Sequence, residues 1–433
     1  MTTRLDYTQA DFEPQFLALL DSKRESDQDV ADIVASILAR VRSEGDTALL
    51  DLTAQLDHFK QDNVAALAIS KAEMQSALDE LDSSLRAALV TARDRIRAFH
   101  EKQVPDGFGG LDDDGVALAM RYTPVDAAGL YVPGGKAAYP SSVLMNAIPA
   151  AVAGVERRVM VVPAPDGYVN PLVLAAAALA DVTEIWRIGG AQAVAALAYG
   201  TQTIAPVDKI VGPGNAFVAT AKRQVFGTVG IDSIAGPSEI LVIADAQNDP
   251  EWIAADLLSQ AEHDEAAQSI LITDDADFAD AVDAAVTAML PRLDRAAVAR
   301  QSWTDNGAII TVPDMTIMPA LANRIAAEHL ELALSDAEEW ASEIRHAGAI
   351  FLGRYTPEAI GDYVAGPNHV LPTARTAKFS SGLGVVDFMK RTTLVGCDAA
   401  SFAKIAPAGV KLANAEGLGA HALSMTIRMT KPE

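Results

Sequence analysis

Seven histidines are the place to look for chemistry, because four of them stand near groups that hold metals or move protons. In Gln260-Ala-Glu-His263 two donors lie three residues apart, on one face if the segment is helical. Asp249 can cap such a helix and Pro250 suits its first position. Standing alone, the pair is more often a polar helix end than a ligand pair. Glu328 and His329 are adjacent. Neighbours do not share a helix face, yet at a helix start both can reach one site. A carboxylate beside an imidazole is general acid–base equipment, or else a surface pair. Asp362 ends a helical segment, and His369 sits in the loop Gly366-Pro-Asn-His-Val-Leu-Pro372. A histidine bounded by Gly and Pro suits binding better than core packing. Glu416 and His421 stand near the end of the sequence, while His58, His100 and His346 lie in charged helical surroundings and read as surface residues. Gln260, His263, Asp362 and His421 together make a mixed nitrogen and oxygen set that suits zinc, with manganese or cobalt as substitutes. Spacing alone does not bring the four together.

Something must position these groups. Up to about residue 100 the chain is polar with apolar residues at helical spacing, as in 27–41 and 78–96. From about residue 126, short β-branched runs alternate with alanine-rich stretches of helical length. The strand candidates are 128–132, 159–163, 184–188, 209–211, 239–244, 269–273, 308–312 and 349–352. That alternation predicts an α/β protein with parallel sheets. Sites in such sheets lie beyond the strand C-termini. The loops there are rich in Gly and Pro: 132–136, 188–192, 211–215 and 235–239. No Gly-x-Gly-x-x-Gly follows an early strand, so the usual dinucleotide fingerprint is missing. Gly189-Gly-Ala-Gln192 and Gly212-Pro-Gly-Asn215 are the alternatives, since glycine permits close backbone approach to a diphosphate. Ordinary turn chemistry at strand ends explains them equally well.

Composition removes several classes. The 433 residues exceed one ordinary core and predict two or three packed lobes. Lys and Arg number 34 against 58 Asp and Glu, a net charge of −24, and no basic stripe is visible. The excess acid repels phosphate backbones and anionic lipid surfaces, so neither nucleic acid nor a membrane is expected as a partner. No apolar run reaches the ~18 residues of a transmembrane helix. Residues 1–14 lack the layout of a signal peptide, and Cys397 is the only cysteine. Both features predict a cytoplasmic protein.

The segments Tyr131-Val-Pro-Gly-Gly, Gly189-Gly-Ala-Gln-Ala, Val211-Gly-Pro-Gly-Asn-Ala-Phe-Val, Asp256-Leu-Leu-Ser-Gln-Ala-Glu-His, Glu328-His-Leu, Gly366-Pro-Asn-His-Val-Leu-Pro-Thr and Ala415-Glu-Gly-Leu-Gly-Ala-His resemble, in order, the histidinol dehydrogenase family. So does the segment from Ala235 to Asp245, and the likeness covers nearly the whole chain. The resemblance implies oxidation of L-histidinol through L-histidinal to L-histidine with two NAD, one zinc ion per subunit and a homodimer. It implies zinc ligands Gln260, His263 and Asp362 from one subunit and His421 from its partner. Glu328 and His329 would be the acid–base pair. Ser238, His369 and Glu416 would contact substrate, as would His329 and the four ligands. Tyr131, Gln192 and Asn215 would contact NAD. It further implies two incomplete Rossmann-like lobes, 26–130 with 239–383 and 131–238, a helical arm at 1–25 and a tail at 384–433. The competing readings are a zinc-dependent dehydrogenase of another small polar alcohol such as a sulfonated diol, a zinc hydrolase, and a non-catalytic binding protein.

Overall fold

A strand buried on both faces reads as a continuous apolar run, as Ile240-Leu-Val-Ile-Ala244 does. The computed structural model describes residues 2–21, 28–134, 139–234 and 236–430. In it this run lies inside a six-stranded sheet ordered Thr3–Asp6, Ala308–Thr311, Gln268–Thr273, Glu239–Ala244, His329–Ala333, Ala349–Leu352. Every neighbouring pair is parallel. Ile240, Val242 and Ala244 pack with Leu257, Phe278 and Val282 of the helices Pro250–Ala261 and Ala276–Met289. Leu241 and Ile243 face the other way, into a core with Phe16, Leu321 and Ile325. This is the period-two alternation of a strand between two helical layers.

The second sheet runs Ala68–Ile69, Glu184–Trp186, Arg157–Val161, Ala127–Tyr131, Lys209–Val211, Gly230–Ile231. It is parallel except for the two-residue edge strand Ala68–Ile69. Its crossovers are the helices Pro140–Ala153, Pro171–Leu179, Gly190–Tyr199 and Ala216–Val225. The small side chains of Gly190–Tyr199 let the Gln28–Glu44 helix lie against it, through the stripe Val34, Leu38 and Val41. That stripe has the i, i+4, i+7 spacing of a helix buried on one face.

The sheets divide the N-terminal third differently from the lobes drawn above. The Gln28–Glu44 helix, the Ala68–Ile69 strand and the Ala127–Tyr131 strand join the second sheet and its core, not that of 239–383. The apolar stripe of Gln28–Glu44 fits the alanine-rich helix, and Arg187 donates to the carbonyls of Ala66 and Ala68 at 3.0 and 3.2 Å. The first 21 residues are not wholly helical. Thr3–Asp6 pairs with Ala308–Thr311 as an edge strand of the first sheet, and the helix Phe12–Asp21 anchors it through buried Phe12 and Phe16.

Residues 329–333 correct a second expectation. A helix start was expected at Glu328 and His329, yet His329–Ala333 is a strand. In His-Leu-Glu-Leu-Ala polar and apolar residues alternate, so Leu330 and Leu332 enter one core while His329 and Glu331 point to the opposite face.

Both sheets lie in one compact unit, Met1–Gln103 with Asp126–Phe388. A second unit comprises Val104–Val125 and Met389–Glu433. It holds an antiparallel sheet ordered Met389–Gly396, Ala117–Pro124, Phe108–Leu111 and the helices Ala399–Ala415 and Gly419–Thr430. No helix among the described residues is long and apolar enough to cross a membrane.

Candidate active site

Register builds the centre of the site. Ile240 pairs with His329, so Glu239 lies beside Glu328 where the two strands begin. The Glu239 backbone N–H donates to Glu328 Oε2 at 2.9 Å, and the Glu239 carbonyl lies 3.1 Å from His329 Nδ1. One residue thus fixes both members of the expected acid–base pair. A carbonyl only accepts, so Nδ1 carries the proton and Nε2 presents a lone pair. Burial pushes the His329 imidazole down to about 4, so it is neutral at neutral pH. Burial raises the Glu328 carboxyl well above its usual range, helped by the charges of Glu239, Asp362 and Glu358.

The short helix Glu358–Tyr363 brings Glu358 Oε1 to 3.7 Å and Asp362 Oδ1 to 3.9 Å from His329 Nε2. His329, Glu358 and Asp362 can together offer three ligand atoms within 4.8 Å of one another. Gln260, in the last turn of Pro250–Ala261, is fully buried, and neither of its amide atoms has a hydrogen-bond partner. His329 Nε2 and Glu358 Oε1 are likewise buried without one. Unpaired buried polar atoms cost about 1–3 kcal/mol each, so a cluster of them marks a place shaped for something else. A divalent cation fits that donor set. His263 lies just past the helix end and is exposed. After burial, the neighbouring His263 is a further cause that lowers the pKa values of His329 and His369. His369 Nδ1 lies 3.2 Å from the Asp362 carbonyl and 3.7 Å from its carboxylate, and Nε2 lies 3.5 Å from Ser142 Oγ. Burial lowers the pKa of His369. Ser238 is half-buried immediately before the Glu239–Ala244 strand.

The expected dinucleotide contacts gather at the C-terminal ends of the second sheet. Tyr131 ends its strand, and its hydroxyl accepts from the Gly190 N–H at 3.1 Å. Burial pushes this phenol up to about 12. Gln192 is buried with a partnerless Oε1 in the first turn of Gly190–Tyr199. Asn215 is exposed and caps Ala216–Val225, its Oδ1 accepting from the Val218 N–H at 3.1 Å. Two helix N-termini therefore face the strand ends, where free N–H groups favour an anionic ligand. Gly135, Lys136 and Ala235 of the expected loops lie outside the described residues.

A family model described as histidinol dehydrogenase matches residues 20–429. The histidinol dehydrogenase of Rhodospirillum rubrum is 65% identical over 432 residues, 100% of this chain and 99% of that one. The histidinol dehydrogenase of Ruegeria pomeroyi is 61% identical over 427 residues, 99% and 98% of the two chains. The crystal structure of histidinol dehydrogenase from Elizabethkingia anophelis is similar with a TM-score of 0.93 at 33% identity, covering 99% of this chain and 98% of that one. The chain belongs to the histidinol dehydrogenase family. It is an NAD-linked oxidoreductase of histidine biosynthesis.

Two residues expected at a histidinol dehydrogenase site belong to the second unit. Glu416 follows the Ala399–Ala415 helix and His421 lies in Gly419–Thr430, both exposed. Two buried carboxyls and a half-buried one, by contrast, carry no local signal in the sequence. The Glu358 backbone N–H donates to Glu331 Oε1, and the Ser259 hydroxyl donates to Glu358 Oε2 at 3.2 Å. Glu331 in turn shares a hydrogen bond with Asp256 of the Pro250–Ala261 helix. Burial pushes Glu358 up to about 8 and Asp256 up to about 6, and raises Glu331 well above the usual range. The trio ties together the elements that carry Gln260, His329 and Asp362. Two signals pointed there: Glu331 has the parity of His329 on one strand, and Glu358 and Asp362 are spaced i, i+4. His100, read as a surface residue, is fully buried instead. Its Nδ1 bonds the Ile96 carbonyl at 2.7 Å and its Nε2 lies 3.5 Å from Asn368 Nδ2, beside the His369 loop.

Proposed function

We propose that the chain oxidises L-histidinol to L-histidinal and then L-histidinal to L-histidine, reducing two NAD molecules, as the last steps of histidine biosynthesis. The observation that carries this reading is a buried, neutral His329 whose partnerless Nε2 lies 3.7 Å from Glu358 Oε1 and 3.9 Å from Asp362 Oδ1, beside a Glu328 of raised pKa. Gln260, His263 and Asp362 would hold zinc, completed by His421 from the partner subunit of a homodimer. Bound zinc would supply a fixed charge that orients the substrate nitrogens, and NAD would supply the hydride acceptor. In the first oxidation His329 Nε2 takes the hydroxyl proton as the carbon loses its hydride. In the second, Glu328 takes a proton from the water that adds to the aldehyde. A carboxylate that holds its proton tightly is the stronger base once ionised, which suits it to water. Ser238, His369 and Glu416 contact the substrate. Tyr131, Gln192 and Asn215 contact NAD.

The homodimer is supported by the second unit, where Leu111, Val395, Leu412 and Leu423 are all more than half exposed, at 59–74%. We assign the protein to the cytoplasm, in keeping with a lone, unpaired Cys397. His421→Asn is expected to release zinc without unfolding the chain. Metal analysis beside circular dichroism checks this, and a folded variant with full zinc removes His421 from the ligand set. The test of the whole reading is the NADH formed per L-histidinol, with and without a chelator. About two per substrate, abolished by chelation and restored by zinc, supports it. No NADH from histidinol in zinc-loaded protein refutes it and points to a different alcohol.

A further inference from the structure

Lys222 and Asp232 form an ion pair with side chains only 2% and 4% exposed, far from the acid–base cluster in sequence. Burying two charges is costly unless each is hydrogen-bonded further, and here both extra bonds go to one residue. Lys222 Nζ donates to the Gly212 carbonyl at 3.0 Å, and the Gly212 N–H donates to Asp232 Oδ2 at 2.7 Å. The peptide groups on both sides of Gly212 are therefore gripped by the same pair. Gly212 has φ +111°, and a Cβ added there would stand 2.1 Å from the Tyr131 carbonyl oxygen. The pair holds this backbone against the end of the Ala127–Tyr131 strand, closer than any side chain allows. The hydroxyl of the same Tyr131 takes the Gly190 N–H, so the loops at Gly190 and Gly212 are braced through one residue. Three residues after Gly212, Asn215 caps the helix Ala216–Val225, and Lys222 sits on that helix.

We propose that Lys222 and Asp232 are positioning residues for the dinucleotide: together they set the Gly212–Asn215 loop and the N-terminus of the following helix in the shape that receives NAD. The inference rests on the reading of that loop as a NAD contact. A pair placed only for stability would have no reason to aim a hydrogen bond from each member at the single glycine that opens the loop. The pair touches neither the zinc set nor the acid–base pair, so its loss should be felt in NAD binding alone.

The experiment compares K222M/D232N with wild type in the zinc-loaded dimer, measuring NADH binding by fluorescence and steady-state kinetics with both substrates. The double variant leaves no buried charge unpaired. If it fails to fold, K222Q/D232N keeps amide hydrogen bonds without charge and gives the same comparison. NADH affinity and the KM for NAD are expected to worsen about tenfold or more, while kcat and the KM for histidinol stay within about twofold. Wild-type NADH binding in a folded double variant overturns the positioning role. Parallel loss of kcat and both KM values also overturns it, because that marks general destabilisation. N215A is the control for the underlying reading. If N215A binds NADH as wild type does, the loop is not a dinucleotide contact. Weakened N215A with an unchanged double variant defeats only the role of the pair.

Discussion

A Glu328→Gln protein is expected to oxidise the alcohol at close to the normal rate and to stall at the aldehyde. The two oxidations ask for different proton acceptors. In the proposed mechanism the alcohol proton goes to His329, whose Nε2 is free because Nδ1 is bonded to the Glu239 carbonyl and whose pKa of about 4 keeps it neutral. Aldehyde oxidation needs water activated, and the proposal gives that work to Glu328, the carboxyl beside His329. Glutamine keeps an oxygen to accept the Glu239 N–H, so the strand start and the imidazole stay in place. What disappears is the ability to take a proton. General-base catalysis contributes about 10²–10⁴-fold, and the second half-reaction should fall by that order. NADH per histidinol should drop from about two toward one, with histidinal trapped by an aldehyde reagent. Equal loss of both half-reactions would show that Glu328 serves them jointly.

Legibility followed the physics of burial. Strands enclosed on both faces, such as Glu239–Ala244 and Gln268–Thr273, announced themselves as unbroken β-branched runs. Edge strands did not. Thr3–Asp6 is mostly polar because one side faces solvent, and Ala68–Ile69 is too short to show a period. His329–Ala333 was hidden for another reason: its catalytic face puts His and Glu where a core strand would carry Val or Ile. Function thus erased the local signal of the element that bears it. The same holds for Glu358, which reads as a surface acid at the start of a six-residue helix yet is only 1% exposed. Its neighbours Ser259, His329 and Glu331 come from distant segments, which spacing cannot bring together. His421 poses a different limit. The role proposed for it, a ligand supplied to a partner subunit, would leave no trace in the contacts of one chain.

The buried glutamates also predict how the metal-free protein responds to pH. In chelator-treated protein, stability should fall as pH rises from about 6.5 to about 8. Glu358 holds its proton up to about 8, against an ordinary value of 4.5 in the unfolded chain. Between those values the native state binds the extra proton, so each pH unit costs on the order of 1.4 kcal/mol for one such group. This contribution is fully present below the unfolded value and is lost as pH climbs through the folded one. Glu331 acts in the same direction. His329 acts oppositely but lower down: its imidazole falls from 6.5 to about 4, so stability rises with pH inside that interval. Asp256, raised to about 6, is spent by then as well. Above pH 6.5 the buried glutamates therefore remain with nothing in the cluster to offset them. Glu358→Gln keeps the shape, carries no proton to lose, and should flatten the slope by about the share of one group. Urea midpoints at fixed protein concentration and several pH values measure it. A flat or rising profile in the stripped wild type, or an unchanged slope in the variant, would mean that Glu358 is ionised in the folded protein and that its carboxyl is held by something other than burial.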